Sequence, residues 1–349
     1  MTNKHLKRTG TDQKGQVVVI TGAGAGVGRA TVREFARTGA RIGLLDRDQP
    51  RLEQAAGEVR SLGGEAVICK TDVAEATQVE AAAAHVEAAF GPIDIWINNA
   101  MATIYSPFQE IAADDYKRAT EVTYLGAVYG TMAALRRMKP RNYGIIIQVG
   151  SALAYRAIPL QSPYCGAKFA IRGFTDAVRS ELLHDRSRIR LTMVQMPALN
   201  TPQFEWGKNR MPMRPQPVPP IFEPEMAAKA IFWASRHKRR EVYVGWPTVK
   251  AIWANKFIPG LIDRYLARTG YEGQQSEQPA DTAAPDNLWQ PVAGDFAAHG
   301  RFDRRARPGT LQLWASLYRE PIALGLLVTG LWTFKRLRGR HEKMLTQLH

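Results

Sequence analysis

Between residues 16 and about 245, short apolar runs alternate with longer stretches whose apolar positions recur at helical spacing. The runs at 17–20, 41–45, 66–70, 93–97, 144–149, 190–196 and 242–244 have the length of strands, and β-branched residues enrich most of them. The plainest is Gly144-Ile145-Ile146-Ile147-Gln148-Val149, which reads as a strand buried on both faces. Segments such as 27–38, 75–90, 113–138 and 163–184 have helical length and periodicity. Strand alternating with helix is the pattern of repeated βαβ units. The predicted fold is therefore α/β, a doubly wound, seven-stranded parallel sheet with helices on both faces.

The pattern breaks at 200–224, where Pro202, Pro212, Pro215, Pro217, Pro219, Pro220 and Pro224 leave little room for regular structure. The apolar members of this loop, Phe204, Trp206, Met211, Met213, Ile221 and Phe222, favour a substrate lid over a plain connector. Past residue 245 the rhythm stops altogether. Residues 246–349 read as a mostly helical C-terminal extension and residues 1–15 as a basic N-terminal arm, leaving 16–245 as the catalytic domain. Within the extension, 246–268 sets Trp253, Phe257, Ile258, Leu261, Ile262, Tyr265 and Leu266 on one side. Lys250, Lys256, Arg264 and Arg268 lie on the other, and Pro259-Gly260 breaks the stretch. Residues 271–286 are polar and read as a flexible linker. The run 322–334 carries no charge and is followed by Lys335, Arg336, Arg338 and Arg340. Its thirteen residues would span about 20 Å as a helix, short of the roughly 30 Å hydrocarbon core. A helix lying in the interface and gripped by its basic flank fits better than a full span; packing on the core or on a neighbouring subunit is the alternative.

Composition is that of a globular protein, 45% hydrophobic and 23% charged. The net charge of +15 is concentrated at the ends: residues 1–14 hold four basic and one acidic residue, and 301–349 hold ten basic and three acidic. The middle is nearly balanced, which argues against a basic groove and a nucleic-acid partner; the basic extension points instead to an anionic membrane surface. Cys69 and Cys165 are too few for a disulfide framework and stand in no metal-ligand spacing, and the seven histidines are scattered. No metal site is expected. A reducing, cytoplasmic location follows, with peripheral association on the inner face of the membrane open, and no secretory signal is evident at the polar N-terminus.

The chemistry is carried by two features. Thr21-Gly22-Ala23-Gly24-Ala25-Gly26-Val27-Gly28 follows a strand and opens a helix, where glycines let the backbone approach a pyrophosphate and the helix N-terminus offers free amides. Asp46 closes the next strand, where a carboxylate can hold ribose hydroxyls and repel a 2′-phosphate, so NAD(H) is favoured; Arg47 beside it leaves NADP(H) open. Downstream, Tyr164 and Lys168 stand one helical turn apart, and Ser151 precedes Tyr164 by thirteen residues. A tyrosine has an ordinary pKa near 10, so a neutral-pH base needs a nearby cation, which Lys168 supplies. Tyr164 would then exchange a proton with a substrate oxygen while hydride moves, and Ser151 would hydrogen-bond that oxygen.

With Asp72-Val73 and Asn98-Asn99-Ala100, these motifs occur in the order of the short-chain dehydrogenase/reductases, which the chain resembles across 16–245. The resemblance implies a Rossmann-type fold, with Thr21, Gly22, Gly24, Ala25, Gly26, Val27 and Gly28 around the cofactor phosphates. It further implies Asp46 and Arg47 at the ribose, Asp72 and Val73 near the adenine, Asn98 and Ala100 along the cofactor, and Pro197, Leu199 and Thr201 against the nicotinamide. Tyr164 and Lys168 serve both catalysis and cofactor binding. The chain departs from the family at three positions. Thr123 stands where a helical asparagine supports a proton-relay water, Met101 replaces the glycine after Asn98-Asn99-Ala100, and Ala198 replaces the glycine after Pro197. Catalysis is expected to be adjusted rather than lost.

Met101, Tyr105, Leu153, Tyr155, Ile158, Phe204 and Trp206 are the residues expected around the pocket mouth. They favour an apolar, lipid- or steroid-like secondary alcohol or ketone as substrate. The rival expectation is a membrane-associated nucleotide sensor or scaffold with little activity, supported by Thr123 and the basic extension and opposed by intact Ser151, Tyr164 and Lys168. Family members commonly pair through the helices at about 113–138 and 163–184, so the resemblance implies a homodimer or homotetramer. A last segment, Asp286-Asn287-Leu288-Trp289-Gln290-Pro291 with His299-Gly300-Arg301-Phe302, is too specific in composition for random linker, and docking on the core is the plain expectation.

Overall fold

The computed structural model describes residues 15–281 and 283–319, together with 322 and 329. The arm at 1–14 and the uncharged run at 322–334 thus fall, almost wholly, outside the described residues. Seven parallel strands form the central sheet: β1 (Val17–Thr21), β2 (Arg41–Asp46), β3 (Glu65–Lys70), β4 (Ile95–Asn98), β5 (Ile145–Ser151), β6 (Arg190–Met196) and β7 (Glu241–Tyr243). Their spatial order is β7-β6-β5-β4-β1-β2-β3. The fold is the expected doubly wound one, and the order reverses between β1 and β4.

The central strands are apolar on both faces because each face is roofed by helices. In β1, Val18 and Ile20 pack toward α1 (Gly26–Ala36) and α2 (Gln49–Ser61), while Val17 and Val19 pack toward α3 (Ala76–Phe90) on the other face. The helix over 113–138 is continuous but not uniform. A π turn, Glu121–Leu125, joins α4 (Ala113–Thr120) to α5 (Gly126–Met138), and α6 (Ser162–His184) packs beside it. Pro224–Arg236 forms α7, which packs on α1.

Local signals fix where helices begin. Asp48 caps α2 by accepting the Arg51 amide at 3.0 Å, and Pro50 follows in the first turn, where its missing N–H costs nothing. The α1 and α2 helices are tied by Glu58, which accepts from Arg29 at 2.8 Å and from Arg33 at 2.7 Å. Arg29 is fully buried, and its other donors reach the carbonyls of Gly24 and Arg51, so one guanidinium joins the glycine turn, α1 and α2.

The structure differs from expectation in the loop at 200–224. Gln203–Trp206 makes a helical turn, and three short strands follow. Lys208–Asn209 pairs with Ile104–Tyr105, Met213–Pro215 with Gln275–Pro279, and Ile221–Phe222 with Ala306–Arg307. Prolines are tolerated because two-stranded ribbons leave one side of each strand free of partners. The polar stretch at 271–286, expected as a flexible linker, supplies one of these strands. Main-chain and glutamine hydrogen bonds fix it, such as Gln216 Nε2 to the Gln275 carbonyl at 2.8 Å and the Ala280 amide to the Pro212 carbonyl at 2.9 Å. Such a strand leaves no apolar periodicity to read. Before it lie two helices, α8 (Trp246–Phe257) and α9 (Pro259–Thr269), hinged at the expected Pro259-Gly260. Among the described residues no helix is long and apolar enough to cross a membrane.

The Arg29–Glu58–Arg33 cluster carries a pH signature. Burial opposes the Glu58 charge, but the two guanidiniums hold its carboxyl down at about 2. A depressed carboxyl adds stability that is present above its unfolded value near 4.5 and lost as pH falls toward 2. Glu58→Gln should therefore remove that pH-dependent part and lower stability at pH 7 by about 1–3 kcal/mol, because Arg29 loses its charged partner. Urea unfolding of both proteins across this pH range checks it; parallel curves would refute it.

Candidate active site

The site starts at the end of β1. Gly22 takes a left-handed backbone (φ 65°), and a Cβ there would lie 2.9 Å from Ala100 Cα. A Cβ on Gly28 would lie 1.9 Å from the Gly22 carbonyl oxygen, so only glycine lets α1 begin directly under the turn. The first-turn amides of α1 have no partner within the helix and carry the positive end of its dipole. Thr21 Oγ1 accepts the amides of Asn99 at 2.9 Å and Ala100 at 3.0 Å, tying the end of β1 to the end of β4. Asn99 Nδ2 returns to the carbonyls of Thr21 and Gly22 at 3.0 and 3.2 Å.

At one end of the cleft, Asp46 accepts the Gly24 amide at 3.0 Å and the Asp48 amide at 3.1 Å. Burial pushes its carboxyl above the ordinary value, against those two amides and the nearby Arg51, which pull it down. Asp72 pairs with Arg118, which α4 supplies. At the other end, Ser151 closes β5 while Tyr164 and Lys168 project from α6. Burial pushes the Tyr164 phenol up to about 12, and a hydrogen bond with Ser151 works in the opposite direction. Burial alone brings the Lys168 ammonium down to about 8. Its Nζ donates to the Val149 carbonyl at 2.7 Å and lies 5.4 Å from the centroid of the Tyr164 ring. The phenol is therefore raised, in the direction burial sets, and not lowered as expected from its neighbour Lys168.

One cavity of about 600 Å³ joins these ends. Of the residues singled out from sequence, Gly22, Ala25, Gly26, Val27, Asp46, Arg47, Asp72, Val73, Ala100, Pro197, Leu199 and Thr201 line it, as do Ser151, Tyr164 and Lys168. Met101, Leu153, Ile158 and Phe204 line its far part, with the substituted Ala198, while Trp206, whose ring lies 4.4 Å from the Arg51 guanidinium, lines the wall on the Asp46 side. Others stand behind the wall. Asn98 is buried in a network with Trp96 Nε1 at 2.8 Å, Thr131 at 3.1 Å and Gln148 at 3.0 Å, and its neighbour Asn99 faces the cleft in its place. Thr123 is fully buried, donating to the Ala102 carbonyl at 3.0 Å and accepting the Ala102 amide at 2.9 Å. It clips the chain beyond β4 to the π turn rather than facing the cavity. Tyr155 donates to Glu241 and lies under Arg172, away from the lining, because the turn after β5 directs it toward β7. Tyr105 is buried against Phe204, with ring centroids 5.7 Å apart. Thr21, Gly24 and Gly28 shape the turn from behind.

This glycine cradle, the acidic end of β2 and a serine, tyrosine and lysine converging on one cleft match the family pattern at each step. A family model described as short chain dehydrogenase matches residues 16–210. The chain belongs to the short-chain dehydrogenase/reductase family. It is an oxidoreductase of that family, whose members bind nicotinamide dinucleotides. It is 30% identical over 323 residues to the uncharacterized oxidoreductase YxnA of Bacillus subtilis, spanning 91% of this chain and 89% of the relative. It is 32% identical over 225 residues to a 3-dehydrosphinganine reductase of Danio rerio, covering 62% of this chain and 67% of the relative. A 17-beta-hydroxysteroid dehydrogenase 13 of Rattus norvegicus is 35% identical over 168 residues, 48% of this chain and 56% of the relative.

Sequence reasoning missed the contribution of the extension. Pro247, Thr248, Ala251, Leu266 and Gln274 line the far part of the cavity, and Asn287 and Pro291 line the end near Asp46. Arg51 was also missed; nothing in its helical context marks it. Thr21→Val should cost about 1–3 kcal/mol, since the amides of Asn99 and Ala100 lose their acceptor. The same change should weaken dinucleotide binding by letting the cleft floor shift. Thermal melts and NADH fluorescence titration check both, and wild-type values in each would refute the clamp.

Proposed function

We propose that the protein interconverts a secondary alcohol and a ketone by hydride transfer with a nicotinamide dinucleotide, NAD(H) in preference to NADP(H), on a large apolar substrate. The observation that carries the reading is the single cleft running from Asp46, past the glycine cradle, to Ser151, Tyr164 and Lys168, and on into an apolar chamber. The residues present fit a dinucleotide: the cradle would be filled by any Cβ at Gly22 or Gly28, and the Asp46 carboxylate stands at the ribose end. When bound, the dinucleotide supplies a ring that accepts or releases hydride.

The chain's own part is to hold and move a proton. With its phenol at about 12, Tyr164 is protonated at neutral pH and donates to the oxygen of a carbonyl under reduction. For oxidation it must first lose that proton, then accept the one leaving the alcohol oxygen. Ser151 hydrogen-bonds the same oxygen and steadies its developing charge. Lys168 brings positive charge under the Tyr164 ring and would hold the nicotinamide ribose. Thr123, whose hydroxyl is engaged by Ala102, positions the chain beside the cleft instead of holding a relay water.

Leu153, Ile158, Phe204, Val218 and Leu266 give the chamber its apolar character. The names of two relatives, a 3-dehydrosphinganine reductase and a 17-beta-hydroxysteroid dehydrogenase, support a lipid- or steroid-like compound. At its mouth, α8 and α9 expose Trp246, Trp253, Phe257, Ile258 and Leu261 beside Lys250, Lys256, Arg264 and Arg268. That combination suits peripheral binding to an anionic membrane surface on the cytoplasmic side, from which an apolar substrate could enter. Met132 on α5 and Phe169 on α6 are exposed, which supports a homodimer or homotetramer through these helices.

NAD⁺ reduction is to be measured with secondary alcohols graded by hydrophobicity. Turnover should favour the large apolar ones, and Tyr164→Phe should lower kcat/KM by about a hundredfold or more. Carbonyl reduction should be level through neutral pH and decline above about 8 as Lys168 loses its charge, while oxidation rises over that range as higher pH increases the deprotonated fraction of the phenol. NADH binding without turnover of any alcohol or ketone would favour a nucleotide sensor instead. Separately, Trp253→Ser with Phe257→Ser should abolish co-sedimentation with anionic lipid vesicles. Unchanged sedimentation would remove α8 from the membrane contact.

A further inference from the structure

The segment at 286–302 lies across the cleft at the Asp46 end. Leu288 and Ala298 are fully buried and pin its two ends, while residues 290–295 between them lie at the surface. The bridge is held through its main chain by three arginines. Arg47 donates to the carbonyls of Asn287, Leu288 and Trp289, the last at 3.0 Å. Arg51 Nε donates to the Gly294 carbonyl at 2.9 Å, and its Nη2 to that of Val292. Arg118, the partner of Asp72, donates to the Leu288 carbonyl at 3.2 Å. The Ala297 carbonyl accepts the amide of Gly26, the first residue of α1, at 2.9 Å. Two aromatic contacts add to this. Phe296 meets Trp206 edge-on at 4.6 Å with Arg51 over both rings, and Trp289 Nε1 donates to Asp115 at 2.9 Å.

We propose that this bridge is a cofactor clasp, enclosing the adenosine half of the bound dinucleotide and selecting for a free 2′-hydroxyl by committing Arg47 and Arg51 to its own carbonyls. The inference rests on the dinucleotide reading above and adds to it the part that encloses the ligand. Asn287 and Pro291 line the cavity opposite Asp46, so a ligand in this half lies between the sheet edge and the bridge. A 2′-phosphate needs unengaged guanidiniums near the ribose, and the two that flank Asp46 already point their donors at strap carbonyls. The carbonyl oxygens gathered around Arg47, with Asp46 itself, repel a further anion. Leaving the cleft requires the bridge to lift between its buried ends, so release is slow while the arginines hold it.

The test uses the full-length chain with Trp289→Ala and, separately, Phe296→Ala, two changes at partly exposed positions that loosen different ends of the bridge. NADH and NADPH affinities are taken from fluorescence titration and NADH release from stopped flow. Release should accelerate by roughly tenfold in each variant, as expected on losing one or two charge-assisted or aromatic contacts, and the preference for NADH over NADPH should fall as Arg47 and Arg51 are freed. In the wild type, hydrogen exchange of amides between 289 and 302 should slow on adding NADH, a readout independent of any substitution. Wild-type release and preference in both variants, with no NADH-dependent protection, would overturn the clasp while leaving dinucleotide binding intact. Faster release with an unchanged preference would overturn the selectivity role. A wild type that binds neither dinucleotide would instead overturn the reading on which the clasp rests.

Discussion

Everything at the site depends on how close the ends of β1 and β4 are brought where the strand order reverses. Two neighbouring parallel strands whose connections leave in opposite directions open a crevice beyond their carboxyl ends. Here Thr21 Oγ1 fixes the width of that crevice by accepting two successive amides, those of Asn99 and Ala100. A Cβ on Gly22 would push against Ala100, and one on Gly28 against Gly22. The same few ångströms that exclude side chains set the floor of the cleft. Arg29 then carries the constraint outward, since one buried guanidinium joins the Gly24 carbonyl, the Arg51 carbonyl and Glu58. The cradle, α1 and α2 therefore move as one body, and Asp46 is held in place relative to it.

The catalytic end is built by a different balance. Burial raises the Tyr164 phenol and lowers the Lys168 ammonium, so each group is pushed toward its neutral form. At neutral pH the phenol keeps its proton and the Lys168 ammonium most of its charge, and it is that nearby positive charge which eases loss of the tyrosine proton. The Val149 carbonyl, at 2.7 Å, keeps the amine directed back toward β5. Rigidity comes from the sheet: Ser151 ends a fully buried strand, and α6 packs along the same layer.

Much of this was legible in the sequence, because the residues that report it are local. The seven strands are short apolar runs with turn residues at each end, and their boundaries in the structure fall within a residue or two of the expected ones. The cradle and the Tyr164-Lys168 spacing are likewise read from neighbouring positions. What was not legible depends on contacts between distant segments. Asn98 and Asn99 are adjacent and chemically identical, and only the buried partners Trp96, Thr131 and Gln148 decide that the first faces inward and the second faces the cleft. Tyr155 reads as a pocket residue until Glu241, eighty-six positions away, takes its hydroxyl. Gln275–Pro279 reads as linker because its pairing with Met213–Pro215 uses backbone and glutamine amides, which leave no periodic signal.

The loop at 200–224 and the segment at 286–302 are also not independent parts. The Asn287 amide donates to the Trp206 carbonyl at 2.9 Å, and Arg301 donates to the Phe204 carbonyl at 3.0 Å, to Glu205 at 2.8 Å and to the Pro215 carbonyl at 2.7 Å. Asn200 holds the far end, accepting the Phe302 amide at 3.0 Å and donating to Asp303 at 2.7 Å. Phe204, Trp206 and Asn287 all line the cavity, with Trp206 under Arg51 and Asn287 held by Arg47 on the Asp46 side. A displacement of either wall must therefore strain the other through hydrogen bonds to main-chain atoms, which no single side-chain rotation relieves. The loop at 200–224 owes its ordered course to the rest of the chain rather than to its own sequence, which is broken by prolines. In this chain the extension supplies three of its attachments, the strands Gln275–Pro279 and Ala306–Arg307 and the side chain of Arg301. The extension is thus structural for the loop at 200–224 before any question of membrane contact arises.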